Sequence, residues 1–198
     1  LGDVILEDAY RVETVRMAAG PEAELFIDAN CSLDLYHARQ LCQIIEPFHI
    51  EFFEEPITQN DIRHMAELRS QTTIRLACGQ NEGQAYRFRD MMIAGAVDII
   101  QPNVAITGGF TQCQKIAALA NSFNISVDNG GAWPFFNQHL QAGLSNGGLV
   151  EYHYSSVEVC KRLYTGLPEP KQGWLTMTDA PGLGFELNTA ALLHFEID

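Results

Sequence analysis

Lysine is scarce in this chain: Lys115, Lys161 and Lys171 are the only three. Acidic residues number 25 against 12 Lys and Arg, a formal net charge of −13. A nucleic-acid binder needs a basic face to neutralise phosphates, and none can be assembled here. An anionic small molecule remains admissible if a bound cation supplies local positive charge. Long apolar runs are missing too. No stretch approaches the ~20 residues of a membrane span and no signal peptide opens the sequence, so no membrane partner is expected. Cys31, Cys42, Cys78, Cys113 and Cys160 are odd in number and form no Cys-x-x-Cys pair. They read as reduced thiols of a cytoplasmic protein. What is there, 198 residues of which 46% are hydrophobic and 19% charged, is the make-up of one ordinary globular domain.

Periodicity predicts helices over 8–19, 34–45, 62–69, 86–94, 110–123 and around 136–144. Short buried strands are predicted over 24–30, 49–54, 74–78, 97–101, 125–127 and 149–153. Each strand ends in a polar residue: Asp28, Glu54, Gln80, Asn103, Asn129 and Glu151, at steps of 26, 26, 23, 26 and 22. One strand and one helix per step calls for parallel strands joined by right-handed crossovers. Polar groups at every C-terminal strand end are the layout of a (β/α)8 TIM-type barrel site, whereas a doubly wound sheet gathers its chemistry at one switch point. A doubly wound hydrolase is set aside as a third reading because no Gly-x-Ser-x-Gly nucleophile turn is expected in the chain.

The barrel is incomplete. About six βα units are found, corresponding to strands three to eight, in a chain that opens on a helix. The predicted division is a partial barrel over 1–165 that carries the site, and an irregular tail over 166–198, rich in Gly and Pro. That tail is expected to pack back on the barrel or on a capping domain. An open barrel exposes two strand edges, so cover by further chain or by another copy in a homo-oligomer is expected.

Asp28, Glu54 and Gln80 are candidate metal ligands, because neighbouring strand ends lie about 5 Å apart and three inward oxygens can converge on one ion. Hard oxygen donors with room for water and substrate suit Mg²⁺. Glu55 points away from Glu54 by strand alternation and is a candidate neighbour of the metal or substrate. Asn30 shares a face with Asp28 and is a second candidate substrate contact. His139 and His153 read as packed or supporting histidines, Arg87 and Arg89 as a solvated face. Trp133-Pro134-Phe135-Phe136 reads as an apolar rim.

Asp-Ala-Asn at 28–30, Glu-Glu-Pro at 54–56, Gly-Gln-Asn-Glu at 79–82, Asp-Ile-Ile-Gln-Pro-Asn at 98–103, Thr-Gly-Gly at 107–109 and Pro-Gly-Leu-Gly at 181–184 occur in order along nearly the whole chain. In this the sequence resembles the enolase superfamily, and within it the mandelate racemase/muconate lactonizing enzyme group. The resemblance implies Mg²⁺ held by Asp28, Glu54 and the residue at 80, and abstraction of the proton α to the carboxylate of a small-molecule substrate. Acid-sugar dehydration or racemisation of a hydroxy-carboxylate is the implied outcome. It also implies a Lys-x-Lys base on the strand preceding the first helix, and an acid near the substrate at Glu151. The chain departs from the family at three points. Gln80 stands where an acid is usual, with Glu82 as an alternative third ligand. Asn103 stands where the family has Asp or Lys, and Gly130, beside Asn129, where relatives carry His. Neither Asn nor Gly titrates near neutral pH. Asn103, Asn129 and Glu151 remain the candidate catalytic positions, and a degenerate member that binds without turnover is the alternative.

Overall fold

A computed structural model describes residues 1–2 and 4–195. Its strands β1 (Phe26–Asp28), β2 (Phe52–Glu54), β3 (Arg75–Cys78), β4 (Ile99–Ile100), β5 (Ser126–Asn129) and β6 (Gly147–Val150) form one parallel sheet in sequential order. Helices α1 (Ile5–Ala19), α2 (Leu35–Ile45), α3 (Ile62–Arg69), α4 (Ala85–Ile93), α5 (Gly109–Ser122) and α6 (Pro134–Ala142) alternate with them. A doubly wound sheet reverses its strand order at a switch point, and this sheet never does. The six strands curl into an incomplete α/β barrel whose edges are β1 and β6.

Strand alternation separates two faces. Phe53, Leu76, Cys78, Ile100 and Val127 join the main core with Leu41, Ile45, Met65, Leu68, Phe88, Met91 and Ile116 from the helices. The opposite face carries a smaller cluster of Phe52, Ala77 and Ile99. Asp28 and Glu54, two residues beyond Phe26 and Phe52, stand on that inner face at the C-terminal end of the barrel.

Local chemistry sets the helix starts. Asp34 caps α2 by accepting from the His37 amide at 2.8 Å, and Asp61 caps α3 by accepting from the Arg63 and His64 amides. Those amide bonds hold the Asp61 carboxyl below its ordinary pKa. Such a group stabilises the fold above its unfolded pKa, and the gain is lost as pH falls through the folded value. Asp61→Ala should cost about 1 kcal/mol at neutral pH. The gap to wild type should close on acidification, as followed by urea unfolding.

Two expectations change in the third dimension. The sequence predicts no helix between β6 and residue 166, and the 166–198 tail is not irregular throughout. Helix α7 (Tyr154–Leu163) comes first, then an antiparallel ribbon of β7 (Tyr164–Thr165) and β8 (Glu186–Leu187), then α8 (Thr189–Phe195). Only Val157 and Cys160 of α7 are buried, too few to show a period in the sequence. They pack with Phe135, and Leu167, Leu175 and Phe185 lie against them. Second, Gly143-Leu144-Ser145-Asn146-Gly147 does spell Gly-x-Ser-x-Gly. It runs from helix α6 into strand β6, the reverse of the strand-to-helix order of a nucleophile turn.

Candidate metal centre

Asp28 and Glu54 end adjacent strands directly opposite one another. Glu54 in turn faces Ala77, not Gln80. The two 26-residue steps are thus not one register row: Gln80 lies three residues beyond that row, in the turn after β3. It arrives there through Gly79, whose φ of +130° no ordinary side chain tolerates and whose added Cβ would lie 2.6 Å from Phe88 Cε1. Backbone strain collects at these strand ends. Asn30, Cys31 and Glu55 all have positive φ, at 45°, 59° and 42°, a cost on the order of 1–3 kcal/mol each where a non-glycine side chain is carried.

Each expected site residue can now be placed. Asn30 is exposed and gives both its backbone amide and its Nδ2 to the Asp28 carboxylate, at 2.7 and 2.6 Å. Glu55, expected beside metal or substrate, is instead wholly buried. It accepts from Asn60 Nδ2 at 2.9 Å, from Gln80 Nε2 at 2.9 Å and from Asn81 Nδ2 at 3.2 and 3.0 Å. Its left-handed backbone breaks the strand alternation, and its two oxygens are taken up by these amides rather than left exposed. Asn103 is wholly buried as well, its Nδ2 donating to the carbonyls of Gly130, Gly131 and Ala132 while Oδ1 accepts from Asn137 Nδ2 and the Ala105 amide. Asn129 donates to the Gly130 carbonyl and accepts from the Glu151 amide. Both asparagines hold the loop after β5 in place. Glu151 is half-buried and accepts from the Ala132 amide at 2.7 Å. Glu82, the alternative ligand, is forked onto the Arg87 guanidinium at 2.9 and 3.0 Å. Arg87 is therefore a paired, half-buried group rather than a solvated one.

One residue of the site was missed. Gln101 is buried on the inner face, two residues past Ile99, and its side chain hydrogen-bonds Glu54. Its Oε1 is buried without a partner. Alternation counted from Ile99 finds it; the expectation at Asn103 followed the proline-marked strand end instead.

The electrostatics are those of acids crowded together. Burial pushes the Glu54 carboxyl up to about 8; the Gln101 hydrogen bond opposes this, and the charges of Asp28, Glu151 and Glu55 add to it. Asp28 is raised chiefly by burial, against the Asn30 amide, with Glu55 and Glu151 contributing. Two half-buried carboxylates so placed favour a proton or a cation between them. The five cysteines are free. Burial raises Cys31 to about 12 and Cys42 and Cys113 to about 11, which leaves them as inert thiols.

The donor set suits a hard divalent cation. A Cβ at Gly130 would lie 3.0 Å from Glu54 Oε1, and one at Gly131 would lie 3.2 Å from Gln80 Oε1. The glycine pair keeps the space over these two oxygens clear. Among the described residues no three His, Cys, Asp or Glu side chains cluster as a ligand set. A third oxygen must come from an amide or from outside these residues.

Comparison with known proteins agrees with this geometry. The family model described as enolase C-terminal domain-like matches residues 2–191. Among curated proteins, D-galactarolactone cycloisomerase of Agrobacterium fabrum is 29% identical over 100% of this chain and 55% of its own length. L-rhamnonate dehydratase of Saccharopolyspora erythraea is 30% identical over 95% of this chain and 50% of its own. The chain thus spans about half the length of the curated relatives it matches. Among solved structures, a mandelate racemase/muconate lactonizing enzyme from a marine actinobacterium, in complex with magnesium, superposes with a TM-score of 0.91 at 31% identity, over 100% of this chain and 56% of that one. L-talarate dehydratase from Polaromonas sp. JS666, complexed with Mg and L-glucarate, gives 0.89 at 29% identity, over 98% of this chain and 52% of that one. This chain belongs to the enolase superfamily, in its mandelate racemase/muconate lactonizing enzyme group.

Proposed function

We propose that the protein is a Mg²⁺-dependent enzyme that removes the proton α to the carboxylate of a small hydroxy-acid, most simply as an acid-sugar dehydratase. The observation that carries this reading is the facing pair Asp28 and Glu54, half-buried and set among further acids. Gln80 Oε1, beside the same glycine turn, would complete the oxygen set. Bound there, Mg²⁺ would supply the positive charge that offsets the substrate carboxylate and the negative charge it gains as the α-proton leaves. The chain's own residues hold the ligands and the turn in place. Asn30 fixes the Asp28 carboxylate, Gln101 fixes Glu54, and the Asn103 and Asn129 amides hold the β5–α6 loop that carries the glycine pair. Glu151, anchored by the Ala132 amide, stands within electrostatic reach of Asp28 and Glu54.

No His or Lys of the described residues lies in strands β1 to β6, and the family resemblance assigns the role of base to a Lys-x-Lys pair on the preceding strand. Magnesium-bound and dehydratase relatives support the reading, and so does the fit of the donor set. The second reading is a member that binds ligand without turnover; Gln80, Asn103 and Gly130, in place of titrating groups, favour it. A screen of acid sugars with the full-length protein, with and without Mg²⁺, separates the two. Turnover that is lost on chelation and restored by Mg²⁺ is the expected outcome. Ligand-induced thermal shifts without turnover on any sugar acid would favour the binder.

A further inference from the structure

We infer that Glu55 is a positioning residue that selects which end of the Gln80 amide faces the metal site. The inference rests on the proposed metal reading and deepens it. An acid at position 80 would present an oxygen whichever way its terminal group turned. A glutamine has one oxygen and one NH2 end, and half of its orientations would offer a cation two N–H donors. Something must break that symmetry.

Glu55 does so by charge. It is wholly buried, and one of its oxygens lies 2.9 Å from Gln80 Nε2. A carboxylate is acceptor-only when ionised, so it attracts the NH2 end and repels the carbonyl. Gln80 is itself buried and cannot turn to water for an alternative. With its nitrogen held, Oε1 is left over against Gly131, beside the place where Glu54 Oε1 borders Gly130. Oε1 accepts no hydrogen bond from the described residues. Glu55 is itself kept from rotating by Asn60 on one oxygen and Asn81 on both. The Cys31 thiol also bonds it. These polar contacts converge on a buried carboxylate whose oxygens are both taken up by protein groups, and their product is the Gln80 oxygen left toward Gly131.

The test uses the full-length protein and Mn²⁺ as probe, read by electron paramagnetic resonance and by calorimetry. Glu55→Gln should lower Mn²⁺ affinity about ten- to a hundredfold, as removal of an outer-shell partner typically does. The double variant Glu55→Gln with Gln80→Glu should return affinity to the wild-type level or above it. A carboxylate at 80 needs no selection, and the new amide at position 55 can donate to it. A merely structural Glu55 would make Glu55→Gln cost the same factor in a Gln80→Glu background as it does in the wild type, and that result overturns the inference. So does undiminished affinity in Glu55→Gln. Should the variants fail to fold, a crystal structure of the wild type with Mn²⁺ decides. Coordination through Gln80 Oε1 with Nε2 still on Glu55 supports the inference, and any other Gln80 pose refutes it. A wild type that binds no divalent ion removes the metal reading itself, and this inference with it.

Discussion

Glu54→Gln should lose divalent-cation binding and yet leave the metal-free protein harder to unfold than the wild type at neutral pH. The sign follows from linkage. Glu54 holds its proton up to about 8 in the fold, against 4.5 for the ordinary group. A carboxyl with a raised folded value stabilises most below its unfolded pKa, and that stability is lost as pH climbs through the folded one. Each unit is about 1.4 kcal/mol, so at pH 7 the metal-free wild type should have forfeited on the order of 3 kcal/mol. The amide of the variant cannot ionise and forfeits nothing. Urea unfolding at pH 5 and pH 8, with chelator, should show the wild type losing stability between the two while Glu54→Gln does not. Saturating Mg²⁺ should restore the wild type at pH 8 and leave the variant unchanged. Parallel pH profiles for the two proteins would sink the claim that Glu54 is the strained acid of the site. The residue is expected to trade fold stability for a cation, as groups at functional sites commonly do.

Gly79→Ala should be among the most damaging single methyl additions in the chain, at roughly 2–5 kcal/mol from left-handed backbone strain and overpacking together. The added Cβ would meet Phe88 Cε1 at 2.6 Å and the Gln101 backbone nitrogen at 3.2 Å. Phe88 is wholly buried in the main core and has no free direction to yield. The turn would have to shift, and Gln80 with it. Thermal melting should therefore fall together with Mn²⁺ affinity. Gly83→Ala is the control, since nothing lies within 4 Å of its added Cβ and φ there is ordinary. Equal losses in the two variants would remove the special role of the Gly79 turn.

Most of the barrel was legible because its signals are local and repeated. Helix α3 spans the predicted 62–69, α2 begins after its Asp34 cap, and the polar strand ends recur at nearly constant steps. The paired strands are shorter than predicted except β5, which runs on to Asn129. β4 keeps only Ile99 and Ile100, because apolar character continues past the last ladder bond. Helix α7 was illegible since it buries just Val157 and Cys160, and amphipathic reading needs a wider apolar stripe.

The site divides along the same line. Residue order by itself determined that Asp28 and Glu54 end neighbouring parallel strands, because chain period and alternation depend only on neighbours in the sequence. It could not determine that Gln80 stands outside their row, that Gln101 leans on Glu54, or that Glu55 turns under the site to grip the Gln80 amide. Those depend on a left-handed residue at 55, a glycine turn at 79 and the register of β2 against β3, which are set by contacts between residues far apart in the chain. Sidedness in a strand is a local property; which end of a buried amide faces a cation is decided by the charge packed against its other end.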